Sequence, residues 1–168
     1  IDVVIHMMGA TVPGTAALDP QSDINGNLIP SVSILEAMTK LSVRRLIYFS
    51  SGGTVYGMPE IVPTPESHPL RPVNSYGIVK VAIEHYIGAY ARSAGLSAAI
   101  IRPSNPYGPR QGHVGIQGVI ATFMNRILND EPIHIWGDGS VVRDYIYVDD
   151  VAALCVAALK TGATGALN

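Results

Sequence analysis

Apolar residues along the chain fall into two patterns: short unbroken runs, and longer stretches in which they recur every three or four positions. Residues 3–8 (VVIHMM) form a run closed by Gly9 and read as a strand buried on both faces. Residues 9–20 are a loop rich in Gly, Pro and Thr. From about 22 to 40 the pattern is helical, through Ile24, Leu28, Val32, Leu35 and Met38. Pro30 lies inside it and is expected to kink or shorten the helix, because it has no amide proton and crowds the preceding turn. Residues 45–50 are a second strand that runs into the small residues Ser51-Gly52-Gly53-Thr54. Residues 57–74 hold Pro59, Pro63, Pro65, Pro69 and Pro72 and read as a surface loop. A long helix over 75–93 shows Val79, Ala82, Ile83, Tyr86, Ile87 and Tyr90 on one face, and residues 96–102 are a third strand. Strand and helix alternating with short links predict an α/β fold, a parallel sheet with helices on both faces.

The texture changes beyond Pro103. A Gly/Pro loop leads to a helix near 118–129, then to two extended runs, 133–136 and 145–148, separated by Gly137-Asp138-Gly139-Ser140. Asp149 is placed to cap a last helix over 150–160.

Composition narrows the function. The 168 residues are 48% hydrophobic and 14% charged, against a usual charged share of about 25%, which excludes a disordered chain. A net charge of −2 supplies no basic stripe for nucleic acid. No apolar run approaches the roughly 20 residues of a membrane span. The single cysteine, Cys155, can form no internal disulfide, so the expected compartment is reducing and cytoplasmic. His6, His68, His85, His113 and His134 show no pairing at helical spacing, and no metal site is expected. Trp136 and Tyr145–Tyr147 read as packing residues. The chain opens on Ile1 inside a strand and closes on Asn168, so it is expected to be part of a longer protein.

The candidate chemistry centres on Tyr76 and Lys80, four residues apart and hence on one helix face. An ammonium at that distance favours ionisation of a phenol, whose free pKa is about 10, so Tyr76 is expected to act as a base nearer neutral pH. The preceding strand delivers Ser50, Ser51 and Thr54 to the carboxyl edge of the sheet, where ligands of open α/β sheets bind.

With these residues in view the sequence resembles the extended short-chain dehydrogenase/reductases, in particular the nucleotide-sugar epimerases and dehydratases of the UDP-hexose 4-epimerase type. The resemblance rests on VVIHMMGA (3–10), FSSGGTVYG (49–57), NSYGIVK (74–80), RPSNPYGPRQ (102–111) and WGDGSVVRDYIYVDDVA (136–152), in the family's order. It implies a Rossmann-like parallel sheet with the N-terminal βαβ units missing, plus part of a smaller substrate-binding lobe. Residues 1–102 would be the C-terminal part of the NAD-binding domain. Residues 103–168 would start the nucleotide-sugar lobe, with Rossmann elements interleaved. The same resemblance makes Tyr76 the catalytic base and Lys80 the residue that holds the nicotinamide ribose. Asn27, Ser50 and Pro103, with Tyr76 and Lys80, would lie on the NAD side, and Asn105 and Arg143 would bind the nucleotide diphosphate of the sugar. A guanidinium suits that task through paired hydrogen bonds to phosphate oxygens, and a surface ion pair of Arg143 with Asp144 or Asp149 is the alternative. The implied chemistry is transient oxidation of a sugar hydroxyl and return of the hydride to the other face of the keto-sugar. A homodimer through the helices at 22–40 and 75–93 is also implied.

Two departures from the family pattern stand out. The Ser or Thr usual four residues before the Tyr of Val-Tyr-Gly is Gly52 here, so the hydroxyl shared with the base must come from Thr54, the favoured substitute, from Ser51, or from water. Gly52→Ser tests whether the missing hydroxyl limits the reaction. The Asp-Glu pair of 4,6-dehydratases is likewise absent, since Gly53-Thr54 stands in its place. No G-x-G-x-x-G occurs, and the family's first units would add about 60 residues before Ile1. Alternatives on the same platform are a nucleotide-sugar reductase or decarboxylase, and a non-catalytic binding relative.

Overall fold

The computed structural model describes residues 1–111, 118–135 and 137–168; His113 and Trp136 lie outside the described residues. The elements are β1 (Val3–His6), α1 (Pro13–Leu18), α2 (Pro20–Asp23), a π-helical turn (Ile24–Leu28), α3 (Ile29–Lys40), β2 (Arg45–Phe49), α4 (Ser75–Ala94), β3 (Ser97–Ile101), β4 (Asn105–Tyr107), α5 (Val119–Leu128), β5 (Tyr145–Tyr147), α6 (Val148–Thr161) and β6 (Gly165–Leu167).

β1, β2, β3 and β6 form one parallel sheet in that order, with Ile5 opposite Ile47, Ile47 opposite Ala99 and Ala99 opposite Gly165. Successive side chains of a strand face opposite ways, and the core divides accordingly. Leu46, Tyr48 and Ala98 pack with Leu35 and Met38 of α3 and Val79, Ile83 and Ile87 of α4. Ile47, Ala99 and Ile101 face the other way, onto Cys155 and Ala158 of α6. Helices therefore cover both faces of the sheet. Burying side chains such as Leu46 and Ile47 completely contributes roughly 2 kcal/mol each.

Between β3 and α6 the chain leaves this sheet. β4 and β5 form a separate two-stranded parallel ribbon, with Asn105 opposite Tyr145 and Tyr107 opposite Tyr147, and α6 and β6 then return to the main sheet. Tyr107 and Tyr147 meet edge to face at 5.6 Å.

Several local expectations change. β1 ends at His6 and is an edge strand, so Ile5 is 45% exposed and one face of the strand is open. The loop at 9–20 contains the helical turn α1. Pro30 does not break its helix: the turn before it widens, with the Ile29 amide reaching back to the Ile24 carbonyl. A π-turn removes the clash that a proline ring makes with the preceding α-helical turn. Ile24 is exposed, and the buried face in this half of the helix is Asp23, Asn27 and Ser31. On α4, Tyr86 is exposed, while Lys80 and Glu84 are buried. No strand forms over the described residues 133–135, whereas β4 and β6, too short for a periodic signal, do form. Asp149 is not a cap: α6 starts at Val148, and Asp149 and Asp150 lie in its first turn, where a negative charge suits the helix dipole.

α4 carries its own boundary signals. The Asn74 side chain accepts from the Gly77 amide at 2.8 Å, and Gly95, at φ 64°, closes the helix in the left-handed conformation that glycine adopts without strain. Its first turn therefore stands at a fixed height beside the carboxyl ends of β2 and β3.

Candidate active site

Tyr76 and Lys80 share the inner face of α4, one turn apart. Lys80 is buried and its Nζ donates to the Phe49 carbonyl at the end of β2 at 2.9 Å. The same ammonium lies 5.6 Å from the centre of the Tyr76 ring and 5.1 Å from that of Tyr48. Burial pulls Lys80 down to about 8, against the opposing pull of Asp23 and Glu84. Tyr76 departs from expectation. Its pKa is raised, first by burial and then by the Asp23 carboxylate, so in this structure the lysine does not make the phenol more acidic. Two tyrosines with raised pKa values, Tyr76 and Tyr48, therefore flank one amine that burial has made less basic.

A polar network that sequence reasoning missed forms the wall behind this pair. Asp23 is fully buried; its Oδ1 accepts from Thr11 Oγ1 at 2.7 Å and Asn27 Nδ2 at 2.8 Å, and its Oδ2 accepts from Ser75 Oγ at 2.8 Å. Asn27 donates also to Thr11 Oγ1 and accepts from the Ala10 amide, both at 2.8 Å. The amide of Asn27 thus pins the loop after β1 rather than standing free for a ligand. Ser31 donates to the Asn27 carbonyl at 2.6 Å and meets His6 Nε2 at 2.7 Å. Burial, and then the nearby Lys80 charge, lower the pKa of His6. The signal was present in the sequence: Asp23, Asn27 and Ser31 are spaced by four and so share one helix face, as polar residues where apolar ones were sought.

The turn after β2 completes the site. The Gly52 amide donates to the Pro103 carbonyl at 2.8 Å, which fastens this turn to the end of β3. A Cβ on Gly77 would lie 2.7 Å from the Thr54 carbonyl oxygen, so Thr54 sits against the first turn of α4, next to Tyr76 in the chain. Thr54 Oγ1 is buried, with no hydrogen-bond partner among the described residues. Ser51 lies at the start of the turn, partly buried, with its carbonyl accepting from the Val55 amide. The Ser50 hydroxyl is committed elsewhere, to Glu84. Glu84 in turn holds Arg102 through two bonds, Nε to Oε1 at 3.1 Å and Nη2 to Oε2 at 2.6 Å, and Arg102 donates to the Tyr56 hydroxyl at 2.6 Å. This buried ion pair ties α4 to β3 directly beneath the turn.

Asn105 opens β4, and Arg143 lies two residues before β5. Asn105 Nδ2 donates to the Asp144 carbonyl at 2.8 Å, which brings it beside the backbone that carries Arg143. Among the described residues Arg143 makes no ion pair with Asp144 or Asp149. Its guanidinium is exposed and bonds only its neighbour's carbonyl, that of Val142.

Open parallel α/β sheets bind nucleotide ligands at the carboxyl ends of their strands, the edge at which Tyr76 and Lys80 stand. Residues 1–168 match the NAD dependent epimerase/dehydratase family, and the chain belongs to it. It is 39% identical over 150 residues to a UDP-glucose 4-epimerase of Mycolicibacterium smegmatis, covering 89% of this chain and 48% of that protein. It is 36% identical over 160 residues to a dTDP-4-dehydro-6-deoxyglucose reductase of Escherichia coli, covering 95% and 50%. The crystal structure of the Thermotoga maritima UDP-glucose 4-epimerase with UDP-glucose superposes with a TM-score of 0.92 at 39% identity, over 95% of this chain and 52% of the other. That of the Thermus thermophilus UDP-glucose 4-epimerase with NAD gives 0.92 at 36% identity, over 99% and 55%. The chain spans about half the length of the curated relatives it matches.

Proposed function

We propose that the protein of which this chain forms the described part is an NAD-dependent nucleotide-sugar epimerase acting on a UDP-hexose at C4, with Tyr76 as the proton-transferring group. The observation that carries this reading is the pairing of half-buried Tyr76 with buried Lys80, the lysine held by the Phe49 carbonyl at the carboxyl edge of a parallel sheet. The similarity to UDP-glucose 4-epimerases supports the same chemistry.

The residues present fit NAD. Among the described residues Lys80 donates one hydrogen bond, to Phe49, and its remaining N–H groups suit a ribose hydroxyl. When bound, NAD supplies a hydride acceptor that carries a positive charge. Asn27 serves this site by shaping the loop at Ala10 and Thr11, and Pro103 by fastening the turn at Gly52. Thr54, whose buried hydroxyl has no partner among the described residues, hydrogen-bonds the reacting sugar hydroxyl, with Ser51 beside it. Tyr76 takes the proton of that hydroxyl and later returns it. Holding hydroxyl and phenol within contact distance is the protein's main contribution. We assign residues 1–102 to the cofactor domain and 103–168 to the start of the nucleotide-sugar lobe with interleaved sheet elements. Asn105 and the exposed Arg143 bind the diphosphate. The single cysteine supports a reducing, cytoplasmic setting.

The test is turnover of UDP-glucose by the full-length protein. UDP-galactose should form with no net NADH, and Tyr76→Phe should lower turnover by at least about a hundredfold. A Tyr76→Phe enzyme with unchanged turnover overturns the assignment. Stoichiometric NADH consumption with a keto-sugar favours instead a reductase, as the similarity to the E. coli enzyme would have it.

A further inference from the structure

Asp23 has no part in the chemistry just described, yet it is a fully buried acid that accepts three side-chain hydrogen bonds, one of them from the residue before Tyr76. Its carboxylate, with no exposed surface, receives Thr11 from the loop after β1, Asn27 from the π-turn and Ser75 from the first residue of α4. Ser75 directly precedes Tyr76. Three separate segments therefore meet on one carboxylate, and one of them sets the height of the tyrosine. Each hydrogen bond to an ionised acceptor is stronger than a neutral one, so the arrangement is stiff.

We propose that Asp23 is a positioning residue for Tyr76: through Ser75 and Asn27 it locks the first turn of α4 to the loop after β1, and it gives the phenol a fixed negative neighbour. The proposal deepens the functional reading above and rests on Tyr76 as the proton-transferring group. Among the described residues the charged and titratable groups around Tyr76 are Asp23 from α2, Lys80 from its own helix and Tyr48 from β2, with His6 of β1 close to Lys80 and Glu84 close to Tyr48. Asp23 favours the protonated phenol, the form of Tyr76 that hands the proton back at the end of the cycle.

The test reads Tyr76 directly. In full-length protein carrying tyrosine labelled with 13C at Cζ, the Tyr76 resonance is assigned by its loss in Tyr76→Phe and followed with pH. In Asp23→Asn the titration should move to lower pH, because a negative neighbour is gone, and Asp23→Glu should bring it back toward the original. An unmoved titration in Asp23→Asn overturns the electrostatic role. Ser75→Ala keeps the charge and cuts the tether, and carries the test even if Asp23→Asn does not fold. It should lower kcat about tenfold with KM little changed, since small displacements of a reacting group are costly. Unchanged kcat in Ser75→Ala overturns the positioning role. Failure of the functional reading looks different: Tyr76→Phe would then turn over UDP-glucose as the unsubstituted enzyme does.

Discussion

A Cβ on Gly52 would lie 2.6 Å from the Arg102 carbonyl oxygen and 3.3 Å from that of Pro103, both main-chain atoms of the segment that Gly52 also hydrogen-bonds. The glycine is there because two backbones touch. Gly52→Ser should therefore not restore a hydroxyl; it should cost about 1–3 kcal/mol in urea unfolding and bring no gain in rate. Lys80 supplies a second residue-scale prediction. Its pKa in the folded chain is about 8, below the 10.4 or so of a free lysine, so in that window the unfolded state holds a proton that the native state lacks. Stability from this group is complete above the free value and lost as pH falls through about 8. The unfolding free energy of the unsubstituted protein minus that of Lys80→Met should thus rise between pH 8 and 10, on the order of 2–3 kcal/mol over the full window. A flat difference would show that Lys80 is not held in a desolvated site. Both residues were conspicuous in the sequence, but the clash at Gly52 and the burial of Lys80 depend on segments about 50 and 30 residues away.

At the scale of elements, hydrophobic patterning located α3, α4, β2 and β3 well, because the two helices bury one repeating face against the sheet and the two strands are apolar runs buried on both faces. It misjudged the first half of the α2–α3 helix. There the buried face is Asp23, Asn27 and Ser31, which pay for burial by bonding one another and the loop after β1. A polar face looks like a solvent face until its partners are known. The π-turn belongs to the same region and lets the helix pass Pro30 without losing this face. Further along, α4 owes its contact with β3 to Glu84 and Arg102 as well as to apolar packing. Glu84→Ala should destabilise the chain by about 3–5 kcal/mol in chemical denaturation, because it leaves Arg102 charged and unpaired in the interior. A loss below 1 kcal/mol would show that water reaches the guanidinium.

At the scale of the whole molecule, two of the apolar surfaces exposed among the described residues stand out. One is the open face of β1. The other is a groove of about 430 Å³ between α2–α3 and α4, lined by Ile24, Leu28, Val73, Ile78 and Ala82, with Tyr86 exposed further along α4. That groove supports the homodimer proposed on the family's pattern. Light scattering of the full-length protein should give twice the monomer mass, and Ile78→Asp, which puts a charge into the groove, should give the monomer while its circular dichroism stays unchanged. A monomeric unsubstituted protein would remove the proposal. Alone, the sequence determined the alternation of strand and helix, the parallel sheet and the Tyr76–Lys80 pair, since these follow from spacing along one element. Only the tertiary structure decided which segments Asp23, Asn27, Ser31 and Gly52 join, and that burial and a buried acid raise the pKa of the tyrosine. Those roles come from hydrogen bonds and contacts between distant segments, which no local periodicity encodes.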